Sequence, residues 1–194
     1  VKEKPILFKG EMVRAILAGN KTQTRRVIKD TTERKGPANP AYMERWKDDK
    51  GWAKICPYGQ VGDRLWVRES LELNEYCEWS YKVDGSYVSE PVKDPSIKYK
   101  WERNKKGDQC RSIHMPRWAS RITLEITNVR IEHLNDISED DAKAEGVTPS
   151  IVGDNLEHLK YRAGFNYLWQ TINAKTHPWD SNPWVFVISF EVIK

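Results

Sequence analysis

Cysteine is scarce in this chain of 194 residues: Cys56, Cys77 and Cys110 are odd in number, widely spaced, and form no CxxC pair. That pattern argues against a disulfide framework and reads as reduced thiols in a cytoplasmic protein. Zinc is disfavoured on the same ground. Cys110 and His114 lie four apart, but no second close pair of ligands completes a site, so no metal and no cofactor is expected. Long apolar runs are also missing. The opening Val1-Lys2-Glu3-Lys4-Pro5 starts none, and none elsewhere approaches membrane-spanning length, so a soluble protein with no membrane partner is expected. Neither an internal repeat, a glycine-rich phosphate loop nor a βαβ rhythm is present, which argues against a Rossmann-like sheet.

What the chain does have is aromatic bulk and an uneven charge distribution. Nine Trp, eight Tyr and four Phe offset a modest apolar share of 39 %, and supply both core material and flat faces on which bases can stack. The net charge of +4 identifies no partner by itself. Its distribution is more informative. Residues 1–50 carry 13 Lys/Arg against 7 Asp/Glu, residues 93–130 carry 10 against 4, and residues 131–160 reverse this with 2 against 8. Two basic segments and one acidic segment can build a polarised cleft that meets phosphates, although a mixed, solvated surface has the same composition.

The length fits one domain, or one domain with a large insertion. Ile6-Leu7-Phe8 reads as a strand, followed by a helix from about Lys9 to Ala18 with Met12, Val13, Ile16 and Leu17 at helical spacing. Gly19-Asn20 stops it, and Lys21 to Ile28 is extended. Residues 30–60 form a turn-rich excursion. Val61-Gly62-Asp63 turns into a strand at 64–69 with Leu65 and Val67 on one face. Tyr76, Trp79, Tyr81, Val83, Tyr87 and Val88 flank a hairpin turn at Asp84-Gly85, and Lys98 to Lys106 reads as a loop. Arg121 to Val129 alternates cleanly. Ser138-Glu139-Asp140-Asp141 opens a short helix to Glu145, stopped by Gly146. Asp154 is expected to cap a longer helix to about Ile172, with Leu156, Leu159, Leu168, Trp169 and Ile172 inward. The run 184–193 is a central strand. The pattern fits an α+β fold, a mixed β-barrel with peripheral helices.

Gly19-Asn20-Lys21-Thr22-Gln23-Thr24-Arg25-Arg26 matches a G-x-K-x-x-x-x-R signature, directly after a strand and a helix. Val61 to Val67, Leu134 to Val147 and Asn182 to Val187 follow it in order. On these motifs the chain resembles the ASCH domains of the PUA-like superfamily. The segment Ser112-Ile113-His114-Met115-Pro116-Arg117-Trp118-Ala119-Ser120-Arg121 brings it nearest to the longer ASCH proteins of phages and prophages. The resemblance implies a single PUA-like domain over 1–194, with 71–112 as an insertion or elaboration. It also implies recognition of RNA, a nucleoside or a modified nucleobase in a basic cleft.

One ASCH branch removes the acetyl group from N(4)-acetylcytidine without a metal. Its catalytic lysine, threonine and glutamate correspond to Lys21, Thr24 and Glu145. In such a reaction Lys21 would take the proton of Thr24, provided burial or a nearby cation kept it partly neutral. Residues three apart in a strand face opposite ways, so Lys21 and Thr24 meet only if the chain turns near Thr22. Gly19, Arg25 and Arg26 are expected to contact ligand, with Arg26 holding a carbonyl or phosphate oxygen. His114, Arg117, Trp118 and Arg121 form a possible second patch of cations around a stacking indole. Asp136, Asp140 and Asp141 leave a ribonuclease as a further alternative, without persuasive metal-ligand spacing. The oligomeric state is left open.

Overall fold

The structure, a computed structural model, describes residues 1–28, 55–73, 78–88, 109–151 and 153–193. Most of the turn-rich stretch at 30–60, together with Tyr76, Cys77 and the run from Lys98 to Lys106, lies outside these residues.

The two most strongly patterned segments pair with each other. The alternating one becomes β7 (Thr123–His133) and the closing apolar one β8 (Trp184–Val192), antiparallel from Leu124 opposite Val192 to His133 opposite Trp184. A strand apolar on both faces needs cover on both faces, and β8 has it. Phe186, Ile188 and Phe190 join a core with Val13 and Ile16 of helix α1 (Gly10–Leu17). Val185 and Val187 join a second core with Ala142 of α2 (Glu139–Ala144) and Phe165 and Trp169 of α3 (Lys160–Asn173).

Around this pair the sheet extends to five strands in the order β1-β3-β7-β8-β2. Here β1 (Glu3–Leu7) runs parallel to β3 (Arg64–Arg68), and β2 (Gln23–Val27) antiparallel to β8. The strands expected near 6–8, 64–69, 122–129 and 184–193 thus share one sheet, and the fold is α+β. Among the described residues the ladder does not close on itself: β1 and β2 are its two edges. Arg26 of β2 nevertheless reaches the end of β1, its Nη2 donating to the Leu7 carbonyl at 2.7 Å.

A second, three-stranded sheet holds β4 (Leu71–Leu73), β5 (Trp79–Tyr81) and β6 (Gln109–Cys110), in the order β5-β4-β6. It has its own small core of Leu71, Tyr81, Cys110 and Met115. The turn at Asp84-Gly85 follows β5, with Gly85 at φ +72°.

The short acidic helix begins as its sequence requires. The Ser138 hydroxyl accepts from the Asp141 N–H at 3.1 Å, satisfying one of the donors that a helix start leaves open. Ser138→Ala should lower stability by about 1 kcal/mol, measured by urea denaturation; no change would mean that this turn contributes nothing to global stability. The longer helix departs from expectation. Asp154–Leu159 is a 3₁₀ turn, and α3 starts at Lys160, where Glu139 of α2 accepts from the N–H groups of Tyr161 (2.6 Å) and Arg162 (2.9 Å). The tighter 3₁₀ turn puts Leu156 out of phase with the helix, leaving it 50 % exposed rather than inward.

Candidate functional site

Helix α1 is followed by Gly19 at φ +73°, a value that glycine adopts without strain. The N–H groups of Asn20 and Lys21 both donate to the Ala15 carbonyl (2.8 and 3.0 Å), so the chain doubles back tightly and drops Lys21 beneath the end of α2. Lys21 forms an isolated antiparallel bridge with Glu145, and the Thr22 N–H donates to the Ala144 carbonyl at 2.9 Å. The approach is close because Gly146 follows. At φ +74° it ends α2, and a Cβ there would stand 2.7 Å from the Lys21 Cβ and 2.8 Å from the Ala15 Cβ.

The Lys21 side chain is fully buried. Its Nζ donates to Glu145 Oε2 (2.7 Å), the Glu145 carbonyl (2.8 Å) and the Gln23 carbonyl (2.8 Å). Three donors meet three acceptors, the full capacity of an ammonium group. Burial pushes the Lys21 pKa below the usual lysine range; Glu145 opposes this shift, and Arg26 and Arg25 add to it.

Pleating separates the next residues. Gln23 and Arg25 lie opposite Ser189 and Val187 on the face that α2 and α3 cover, whereas Thr24 and Arg26 lie opposite Ile188 and Phe186 on the α1 side. Arg25 is wholly occupied within the protein. Nε and Nη2 donate to Glu132 Oε1 (2.9 and 2.5 Å), Nη2 also to Asp141 Oδ2 (3.1 Å), and Nη1 to Glu145 Oε1 (3.1 Å) and Gln23 Oε1 (2.8 Å). Arg130 joins the network through Asp141 (2.6 Å) and Glu132 (3.2 Å).

Arg26 differs. It forms no ion pair among the described residues, its buried Nε has no acceptor, and its guanidinium lies 5.2 Å from the Phe8 ring and 5.8 Å from the Tyr58 ring. Burial holds its pKa below the usual arginine value. Three cations (Lys21, Arg25, Arg130) thus meet three carboxylates (Glu132, Asp141, Glu145), and Arg26 stands outside this network on the other face of the strand.

A cavity of about 80 Å³ opens beside the edge strand β2, between α1 and α3. Thr24, Arg25, Arg26 and Glu145 line it together with Met12, Phe165, Trp169 and Asn173. It has room for several waters and opens to solvent. Thr24 is buried and lines the cavity. Lys21 does not line the cavity and acts on it only through Glu145.

The other expected ligand contacts lie elsewhere. Gly19 shapes the turn before Lys21 and is absent from the cavity lining. Arg121 joins Glu69 (3.0 and 2.8 Å) to Asp84 (2.8 Å) and stacks 3.9 Å from the Tyr81 ring. Arg117 pairs with Glu3 at 3.0 Å, Trp118 packs against the core of the second sheet, and His114 is exposed. Of the three aspartates, Asp141 is held between Arg25 and Arg130, and no group of three or more His, Cys, Asp or Glu is placed to hold a metal among the described residues. Glu132, Arg130 and Phe165 escape a reading of the sequence. Only the acidic bias of 131–160 hints at the carboxylates, and nothing in that bias specifies Arg25 as their partner.

No protein-family model and no curated protein matches the sequence. Among solved structures the chain is similar to an ASCH domain from Lactobacillus crispatus JV V101, at 17 % identity with a TM-score of 0.42, covering 98 % of this chain and 79 % of that one. It is also similar to a DUF984 protein from Enterococcus faecalis V583, at 12 % identity with a TM-score of 0.42, covering 100 % of this chain and 76 % of that one. No helix among the described residues is long and apolar enough to cross a membrane.

Proposed function

We propose that this chain is a PUA-like ASCH module that binds a nucleobase-bearing ligand, either a nucleoside, a modified base or an exposed base of RNA, in the cleft beside β2. In this reading the sheet is a PUA-like barrel, with Arg26 and α1 spanning the gap between its edge strands. The observation that carries the proposal is Arg26, a partly buried cation without an ion-pair partner among the described residues and with an unsatisfied Nε, lining a cavity next to Thr24. Burying a donor such as the Arg26 guanidinium without a full set of partners costs free energy that a ligand carbonyl or phosphate oxygen recovers. Phe165 and Trp169 offer flat apolar walls for a base. The Lys21–Glu145–Arg25 network is the scaffold that fixes the cleft.

A second reading, hydrolysis of an N-acyl nucleoside by Lys21, Thr24 and Glu145, is supported by Thr24 and Glu145 facing the same cavity. It ranks lower on the state of Lys21. Neutral lysine has two N–H donors, so accepting a proton from Thr24 would first leave one of the three acceptors around Nζ bare.

Calorimetric titration with a panel of nucleosides that includes N(4)-acetylcytidine tests both readings. Arg26→Ala should weaken binding about 10–100-fold, the loss expected for a charge-assisted hydrogen bond, and product should not accumulate. Binding that is indifferent to Arg26→Ala would overturn the cleft assignment. Turnover that is abolished by Thr24→Ala and partly kept by Thr24→Ser would establish the hydrolase instead.

A further inference from the structure

On the surface of the sheet opposite the α1-side core, β3 carries Arg64, Trp66 and Arg68, alternate residues that share one face while Leu65 and Val67 fill that core. Trp66 is only 7 % exposed because guanidiniums cover it: Arg68 lies 4.7 Å from its ring and Arg117, from the neighbouring 3₁₀ turn, 5.8 Å. Arg68 is further fixed by donating Nη1 to the Ile113 carbonyl at 3.1 Å.

Carboxylates stand close by, and they leave two of these arginines unpaired. Glu3, opposite Arg64 on β1, pairs with Arg117 at 3.0 Å, and Glu125, opposite Arg64 on β7, pairs with neither. Arg64 and Arg68 form no ion pair among the described residues, and the Nε of each is buried without an acceptor. Pro5 and the 40 % exposed Leu7 flank them on β1, opposite Trp66 and Arg68.

We propose that this face is a binding track for the phosphodiester backbone of a single-stranded nucleic acid, separate from the cavity beside β2 and independent of what that cavity binds. Arg64 and Arg68 are roughly 13 Å apart along the strand, at about 3.3 Å per residue, so they can engage different phosphates of one extended chain. The Arg68 guanidinium, stacked on the indole, is already oriented and partly dehydrated, which lowers the cost of docking a phosphate there. An acidic protein would offer the same charge. However, Arg64 and Arg68 repeat along one extended strand, which suits a chain of regularly spaced phosphates better than the scattered carboxylates of a folded surface.

Titration of the full chain with fluorescent single-stranded RNA and DNA 12-mers across a salt series tests this. Binding should weaken linearly with log salt, and Arg64→Gln/Arg68→Gln should flatten the slope by about 1.4, or about 0.7 for each phosphate that is no longer neutralised. Arg64→Lys/Arg68→Lys should keep the slope. If the double Gln variant unfolds, Arg64→Gln alone should flatten it by about 0.7. Arg14→Gln/Lys160→Gln, with the same loss of net charge elsewhere, should leave the slope unchanged. Equal flattening by that control, absence of binding to both 12-mers at low salt, or tighter binding to a duplex of the same sequence would each overturn the track. Preference between the RNA and DNA arms identifies the natural strand.

Discussion

Glu145→Ala is expected to destabilise the protein by about 3–5 kcal/mol, the usual loss when one member of a buried ion pair is removed. Lys21 has no exposed route of escape: its ammonium is enclosed, and it would keep only the two backbone carbonyls as partners. Arg25 would lose one carboxylate as well, though Glu132 and Asp141 would still hold it. For a chain of this size the loss corresponds to roughly 6–20 °C in Tm, read by thermal melts. The double variant Lys21→Met/Glu145→Gln should recover part of the stability, since it removes the stranded charge and leaves an amide oxygen for Arg25, while the Gln23 and Glu145 carbonyls lose their donor. A loss below about 1 kcal/mol for Glu145→Ala would mean that water reaches Lys21, and that the enclosed network is not what shapes the cleft.

Gly146→Ala should cost about 3 kcal/mol, from two separate sources. A left-handed alanine adds about 1–2 kcal/mol of backbone strain, and overpacking typically adds about 1–3 kcal/mol. Here the intruding methyl would sit 2.7 and 2.8 Å from the side-chain carbons of Lys21 and Ala15. Gly146→Asn separates the two contributions, because asparagine tolerates the left-handed conformation but carries the same Cβ. If packing dominates, both variants should melt at similarly reduced temperatures. If Asn restores near-native stability, backbone strain was the main cost and the packing of α2 on Lys21 can relax.

The parts of this molecule legible in the sequence are those where one face of an element had to be apolar. The alternation through Thr123–Val129 and the continuous run at Trp184–Ile193 define the central pair, and Leu65 and Val67 place β3. The motif also singles out Lys21 and Glu145, which the structure places 2.7 Å apart. Arg25 and Arg26 show where this kind of reading fails. They are adjacent and chemically identical, yet the pleat sends one under α3 into three carboxylates and the other toward Phe8 and Tyr58 without any. No local pattern separates them, because β2 is polar on both faces and its register is set by β8. The start of α3 is illegible for a related reason: its cap comes from Glu139, more than twenty residues earlier in the chain.

That borrowed cap links the stability of two helices. The carboxylate that holds the Tyr161 and Arg162 N–H groups belongs to the first turn of α2, whose last turn carries the peptide bonded to Thr22. Fraying at the front of α2 would strand the amides of α3, and fraying at its back would release the wall beneath Lys21. Local opening in this region is therefore cooperative, with α2, the start of α3 and the floor of the cleft exchanging their amides together rather than one turn at a time.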